Sequence, residues 1–119
     1  MLGMPSPPTA IFATNDSMAL GAFQAILEEG VAIPEEMALI GFNDIEFASM
    51  KRIELTTIGQ KKFEMGALAV KTLVEKIERG AAESAAKEIF LKPELIIRNT
   101  CGFHLKGYRA EFQNASSCS

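Results

Sequence analysis

The sequence predicts an α/β domain built on a partial, doubly wound and mostly parallel sheet. Short apolar runs with β-branched and aromatic members, at residues 10–14 and 37–42, read as buried strands. Two longer segments, residues 16–29 and 61–79, repeat apolar residues at 3-and-4 spacing, as amphipathic helices do. The order along the chain is β-α-β-loop-β-α-β-β. Alternation of this kind is the pattern of a parallel sheet with helical crossovers.

Each element has a local reason. Residues 1–9 read as a connector, because Pro5, Pro7 and Pro8 stop a helix and favour extended backbone. The first strand runs straight into Asn15, Asp16 and Ser17, all N-cap types. Met18, Ala22, Ala25 and Ile26 are the side of the first helix expected to face the sheet. Gly30 suits the left-handed position after a helix, with Pro34 soon beyond. The second strand ends in Gly41-Phe42-Asn43-Asp44. Residues 45–54 are irregular, with one short turn around 46–50. A third, short strand lies near 56–58. The second helix carries Phe63, Gly66, Ala67, Val70, Leu73, Val74 and Ile77 on one stripe, and Gly80 closes it. Residues 81–87 form a small polar loop. Two short strands follow, at 88–91 and 94–98, broken at Pro93. The tail, residues 101–119, is expected to fray.

A parallel sheet needs helices on both faces. Only two long helices are present, and residues 45–54 are too short to cover a face. The tail, a partner or more chain must supply the cover. The favoured expectation is a fragment of a larger domain that associates with itself through the uncovered apolar surface.

Composition excludes several functions. The 119 residues suffice for one core. Net charge is −3, and the only basic doublets are Lys51-Arg52 and Lys61-Lys62, so no basic stripe is available to grip nucleic acid. No apolar run approaches the roughly 18 residues of a membrane span. No secretory signal pattern is present. Cys101 and Cys118 make neither a disulfide framework nor a metal knuckle, which points to a reducing, cytoplasmic compartment. His104 stands alone. The sequence holds no nucleophile elbow, phosphate loop or paired acid/base constellation. No catalytic residue, metal or cofactor is expected.

Five segments resemble one family. They are Pro8-Thr9-Ala10-Ile11-Phe12-Ala13-Thr14-Asn15-Asp16-Ser17-Met18-Ala19-Leu20-Gly21, Ile33-Pro34-Glu35-Glu36, Ile40-Gly41-Phe42-Asn43-Asp44-Ile45, Leu55-Thr56-Thr57-Ile58-Gly59-Gln60 and Lys92-Pro93-Glu94-Leu95-Ile96-Ile97-Arg98. In this order and spacing they resemble the effector-binding domain of lac repressor/galactose repressor family transcription regulators, over residues 7–100. The resemblance implies a periplasmic-binding-protein-like fold of type I, of which residues 10–100 look like most of the C-terminal subdomain. It also implies a DNA-binding module and a second subdomain outside this chain, so that DNA is met only through the missing module.

Resemblance and residue chemistry together nominate a site. Strand ends in open α/β sheets bind ligands at their carboxyl edge. Asn15 resembles the position that hydrogen-bonds a sugar or nucleoside-like effector, and an amide offers both donors and an acceptor. Asp16 beside it is a candidate contact and a candidate cap. Asn43 stands where many relatives carry Asp, so the local charge here is lower; Asp44 follows it. Both also suit a turn. Lys62 resembles a position that reaches the effector cleft, where a cation suits phosphate or carboxylate. The family places Leu20, Phe23, Gln24 and Leu27, with Phe47 and Met50, at the subunit interface of a homodimer. The alternative reading is a fragment of a periplasmic sugar-binding transport protein, which shares the fold. A small α/β enzyme is disfavoured, because no catalytic constellation appears.

Overall fold

The computed structural model describes residues 3–80 and 86–105. The elements are β1 (Ala10–Phe12), α1 (Asp16–Glu28), β2 (Ala38–Phe42), a 3₁₀ turn (Glu46–Ser49), β3 (Thr56–Gly59), α2 (Lys62–Arg79) and β4 (Glu94–Ile96). The strands form one sheet in the order β1-β2-β3-β4. β1 pairs with β2 in parallel, Phe12 opposite Ile40, and β2 pairs with β3 in parallel, Ile40 opposite Thr56. The carboxyl ends of all three strands therefore lie along one edge.

α1 starts where the sequence puts a cap. Asn15 is extended, at φ −153° and ψ 163°, and its Oδ1 accepts the Met18 N–H at 2.8 Å. The helix closes with a Schellman motif. The Gly30 N–H donates to Leu27 O and the Val31 N–H to Ile26 O, with Gly30 at φ +72°. The buried stripe is Asp16, Ala19 and Ile26, with Ala22 and Phe23 packed beside it. This corrects the expected phase of the helix: Met18 is 61% exposed and Ala25 is also exposed. The cap explains the offset. Asn15 starts the helix so that Asp16, a polar residue, heads the inward row, and the row then continues at i+3, i+7 and i+10.

The core lies on one face of the sheet. Ala19 of α1, Leu39 of β2, Ala48 of the 3₁₀ turn and Leu55 form its centre, joined by Ile11, Ala13, Ala22, Phe23, Ile45 and Ile53. Strand alternation sends Ala10, Phe12, Ala38, Ile40, Phe42 and Ile58 to the other face. None of these is buried, and Phe12 is 58% exposed. The crossover from β2 to β3 holds a single 3₁₀ turn, as its length requires, and that turn shares the face used by α1.

Thr100 joins the strands where they begin. Its backbone oxygen accepts the Leu39 N–H at 2.7 Å. Its Oγ1 donates to Leu39 O at 2.7 Å and accepts the Thr56 N–H at 2.9 Å. One residue thus serves both polar groups of Leu39 and the donor of Thr56.

The chain divides into two compact units. The first holds β1 to β3, α1 and the segment from Leu95; the second is Gln60–Glu94. In the second unit, Met65, Leu68, Ala69, Thr72 and Leu73 of α2 line a cleft of about 430 Å³ with Lys87, Ile89 and Leu91. No residue of α2 is buried, and its predicted stripe is open: Phe63 is 89% exposed and Ile77 72%. The expected strand at 88–91 is absent. Ile89 and Phe90 are exposed there, and an apolar run becomes a strand only where a neighbour completes its ladder. Of the tail, residues 101–105 form a turn, with Leu105 N–H bonded to Gly102 O. The polar loop is described only at residues 86–87, and the tail beyond 105 lies outside the described residues.

Candidate functional site

The carboxyl edge of the sheet is assembled from three strand ends. After β1 comes Asn15, half-buried, whose capping bond uses only its carbonyl oxygen. The two amide hydrogens remain as donors for a hydroxyl or carbonyl. After β2 comes the Asn43-Asp44 turn, with Asn43 at φ 107° and Asp44 at φ 50°. Two successive residues of positive φ without glycine are uncommon, and Asn and Asp tolerate them best. The sequence expectation of a turn and the expectation of a site fall on the same two residues.

Several bonds hold that turn. The Asn43 N–H donates to Ile58 O at 2.8 Å, extending the β2–β3 ladder. The Ile45 N–H donates to Asp16 Oδ2 at 2.9 Å. Arg98 Nη2 donates to Asp44 Oδ1 at 2.7 Å, in an ion pair whose side chains are 18% and 32% exposed. The second arm of the guanidinium, Nη1, donates to Leu55 O at 2.8 Å. A planar fork can serve both acceptors at once.

Asp16 sits behind the edge. It has no exposed surface, and its carboxylate accepts from the Thr57 hydroxyl at 2.6 Å and from the Ile45 N–H. Gly41 makes room for it: a Cβ built there would overlap the Asp16 carboxylate and lie 3.1 Å from Leu55 Cδ2. The expectation that Asp16 touches a ligand is corrected on this geometry. A wholly buried carboxylate with both oxygens engaged has nothing to offer from outside. Nor does Asp16 cap α1; Asn15 does.

Lys62 opens α2 in the second unit, exposed, its N–H donating to Gln60 O at 2.8 Å. The structure thus brings Asn15, Asn43 and Asp44 to one edge; Lys62 belongs to the second unit. Among the described residues there is no cluster of His, Cys, Asp and Glu that could hold a metal, and no helix is long and apolar enough to cross a membrane. Sequence reasoning passed over Thr57 and Arg98 as site-building residues. A threonine pair inside a short strand and an arginine closing an apolar run were the available signals, and both are easily read as surface.

Comparison with known proteins decides the family. A model of the periplasmic binding protein-like domain matches residues 1–101. The chain belongs to the periplasmic binding protein-like domain family. This periplasmic binding protein-like domain is 42% identical over 100 residues to the PurR transcriptional repressor of Pasteurella multocida, covering 84% of this chain and 29% of that protein. It is 37% identical over 100 residues to the ribose operon repressor of Haemophilus influenzae, covering 84% of this chain and 30% of the relative. The chain therefore spans about a third of the length of the curated relatives it matches. Among solved structures, a LacI-family regulator from Enterococcus faecium with bound ribose superposes at a TM-score of 0.71 and 32% identity, over 81% of this chain and 35% of that one. A LacI regulator from a Rhodococcus species superposes at 0.75 and 31% identity, over 84% and 36%. These relatives are transcription regulators, which agrees with the first expectation from the sequence and not with a transport protein.

Proposed function

We propose that this chain is the effector-sensing and dimerisation portion of a LacI-type transcription regulator. A small hydroxylated molecule, a sugar or a nucleoside-like compound, is held against the carboxyl edge by Asn15 and Asn43. The observation that carries this reading is the emergence of two amide side chains from the ends of adjacent parallel strands, where open α/β sheets take ligands. Asp44, tied to Arg98, lends the edge a local negative group without carrying an isolated charge.

Effector binding shifts the relative orientation of two subdomains and thereby the affinity for DNA, a population shift between two states. DNA contact falls to a separate module of such a regulator, in the cytoplasm. Dimerisation uses the side of α1 next to its inward row, where Phe23 and Ile53 are also packed against the core. Leu20, Phe23, Gln24 and Leu27 line a groove of about 520 Å³ with Glu28 and Ile53, and Phe47 and Met50 stand 60% and 50% exposed. Apolar surface of this kind is what a partner covers.

Because the chain supplies one wall of a cleft, it binds effector weakly by itself. Calorimetry with ribose, the ligand of the Enterococcus faecium relative, is the test. Millimolar or weaker affinity is expected. Micromolar affinity would overturn the half-cleft reading, since a lone wall cannot enclose a sugar.

A further inference from the structure

The geometry points to Asp16 as the positioning residue that couples the two effector-contacting amides, an inference that rests on the proposed effector site. Asp16 is wholly buried, with both carboxylate oxygens engaged within the chain. It is the first residue of α1, so its backbone follows directly on Asn15. One carboxylate oxygen is fixed by the Thr57 hydroxyl of β3, and the other receives the Ile45 N–H, two residues beyond Asn43. The same side chain thereby ties the segments after β1 and β2 to the body of β3.

The tie holds a conformation that the turn would not keep unaided. Asn43 and Asp44 both have positive φ, which costs about 1–2 kcal/mol per residue for L-amino acids and persists only where surroundings over-determine it. Asp16 anchors the exit of this turn, Ile58 O anchors its entrance and Arg98 anchors its side chain. Gly41 keeps the space that the carboxylate occupies. With the tie in place Asn15 and Asn43 present one pre-organised pair, so ordering them is not charged against effector binding. Without it, the Asn43 turn opens independently of Asn15.

The test reads the turn directly and needs no effector. In the full chain, amide exchange is compared at Ile45 and at Leu39, whose N–H bonds to Thr100 O in the core. In Asp16→Ala, which removes both acceptor oxygens, the Ile45 amide should exchange about 10- to 100-fold faster while Leu39 changes far less, the loss expected for a hydrogen bond to a charged group. The resonances of Asn43 and Asn15 should shift together. Thr57→Val, which releases the carboxylate from β3 and leaves its bond to Ile45, should speed Ile45 in the same direction but by less. If Asp16→Ala changes Ile45 no more than Leu39, the carboxylate is a general brace and the inference fails, while the effector site stands or falls on the calorimetry. Should Asp16→Ala not fold, the wild-type chain decides. An Ile45 amide shifted downfield and protected supports the tie, and one exchanging at the rate of an open loop overturns it.

Discussion

Replacing Thr100 by valine removes a hydroxyl and leaves the volume of the side chain unchanged. The hydroxyl is 2% exposed in its residue and serves two buried backbone groups, Leu39 O and the Thr56 N–H. Valine strips the partner from both. Water cannot replace it in a space filled by a methyl group. An unsatisfied buried polar group costs about 1–3 kcal/mol, so the pair gives a loss of about 2–6 kcal/mol. In a domain of this size each kcal/mol moves the melting temperature by roughly 4–8 °C, so a fall of roughly 10 °C or more is expected. Thr100→Ser is the control, because it keeps the hydroxyl and loses one methyl group. Urea unfolding of the three proteins separates the two effects through the midpoint at constant slope. If valine and serine destabilise equally, the hydroxyl is not what joins β2 to β3, and the account of the sheet is wrong.

Other consequences are as direct. Asn15→Ala should lower stability by about 1 kcal/mol, the usual value of an N-cap, whereas Asn15→Ser should keep most of it; circular dichroism melting distinguishes them, and equal losses would contradict the capping role. Gly41→Ala should cost about 1–3 kcal/mol by forcing a methyl group against the Asp16 carboxylate, and a neutral result in denaturant unfolding would show that the pocket yields. The chain should self-associate at micromolar concentration, and Leu27→Lys should weaken that association by about tenfold in light scattering, as loss of an apolar anchor does. A monomeric wild-type chain would refute the interface.

Much of the fold is legible in the residues themselves. The β1–α1 junction declares itself, because an apolar run, three cap-forming residues and a helical pattern occur in succession. Gly30 marks the helix end through the one conformation it takes easily. The phase of α1 is only partly legible, for a physical reason. Of Met18, Ala22, Ala25 and Ile26, the apolar spacing places Ala22 and Ile26 correctly, but the inward row begins at Asp16 in place of Met18, and the burial of Asp16 depends on Thr57 and Ile45, at separations of 41 and 29 residues. No local pattern reports a partner that distant. The strand expected at 88–91 failed because strand formation depends on a ladder partner that periodicity does not reveal. At the edge, Asn15 and Asn43 were visible as residue types at strand ends. Arg98 and Thr57 were not, since their roles arise from which strands adjoin.

The central claim is that the carboxyl edge holds the effector through Asn15 and Asn43. Titrating the isotope-labelled chain with ribose, up to concentrations well above millimolar, while following both backbone and side-chain amides, tests it most directly. The account predicts saturable shifts concentrated at the side-chain amides of Asn15 and Asn43 and at the Asp44 backbone, abolished by Asn15→Ala. Shifts centred on the groove between Leu20, Leu27 and Ile53, or on the α2 cleft, would contradict it.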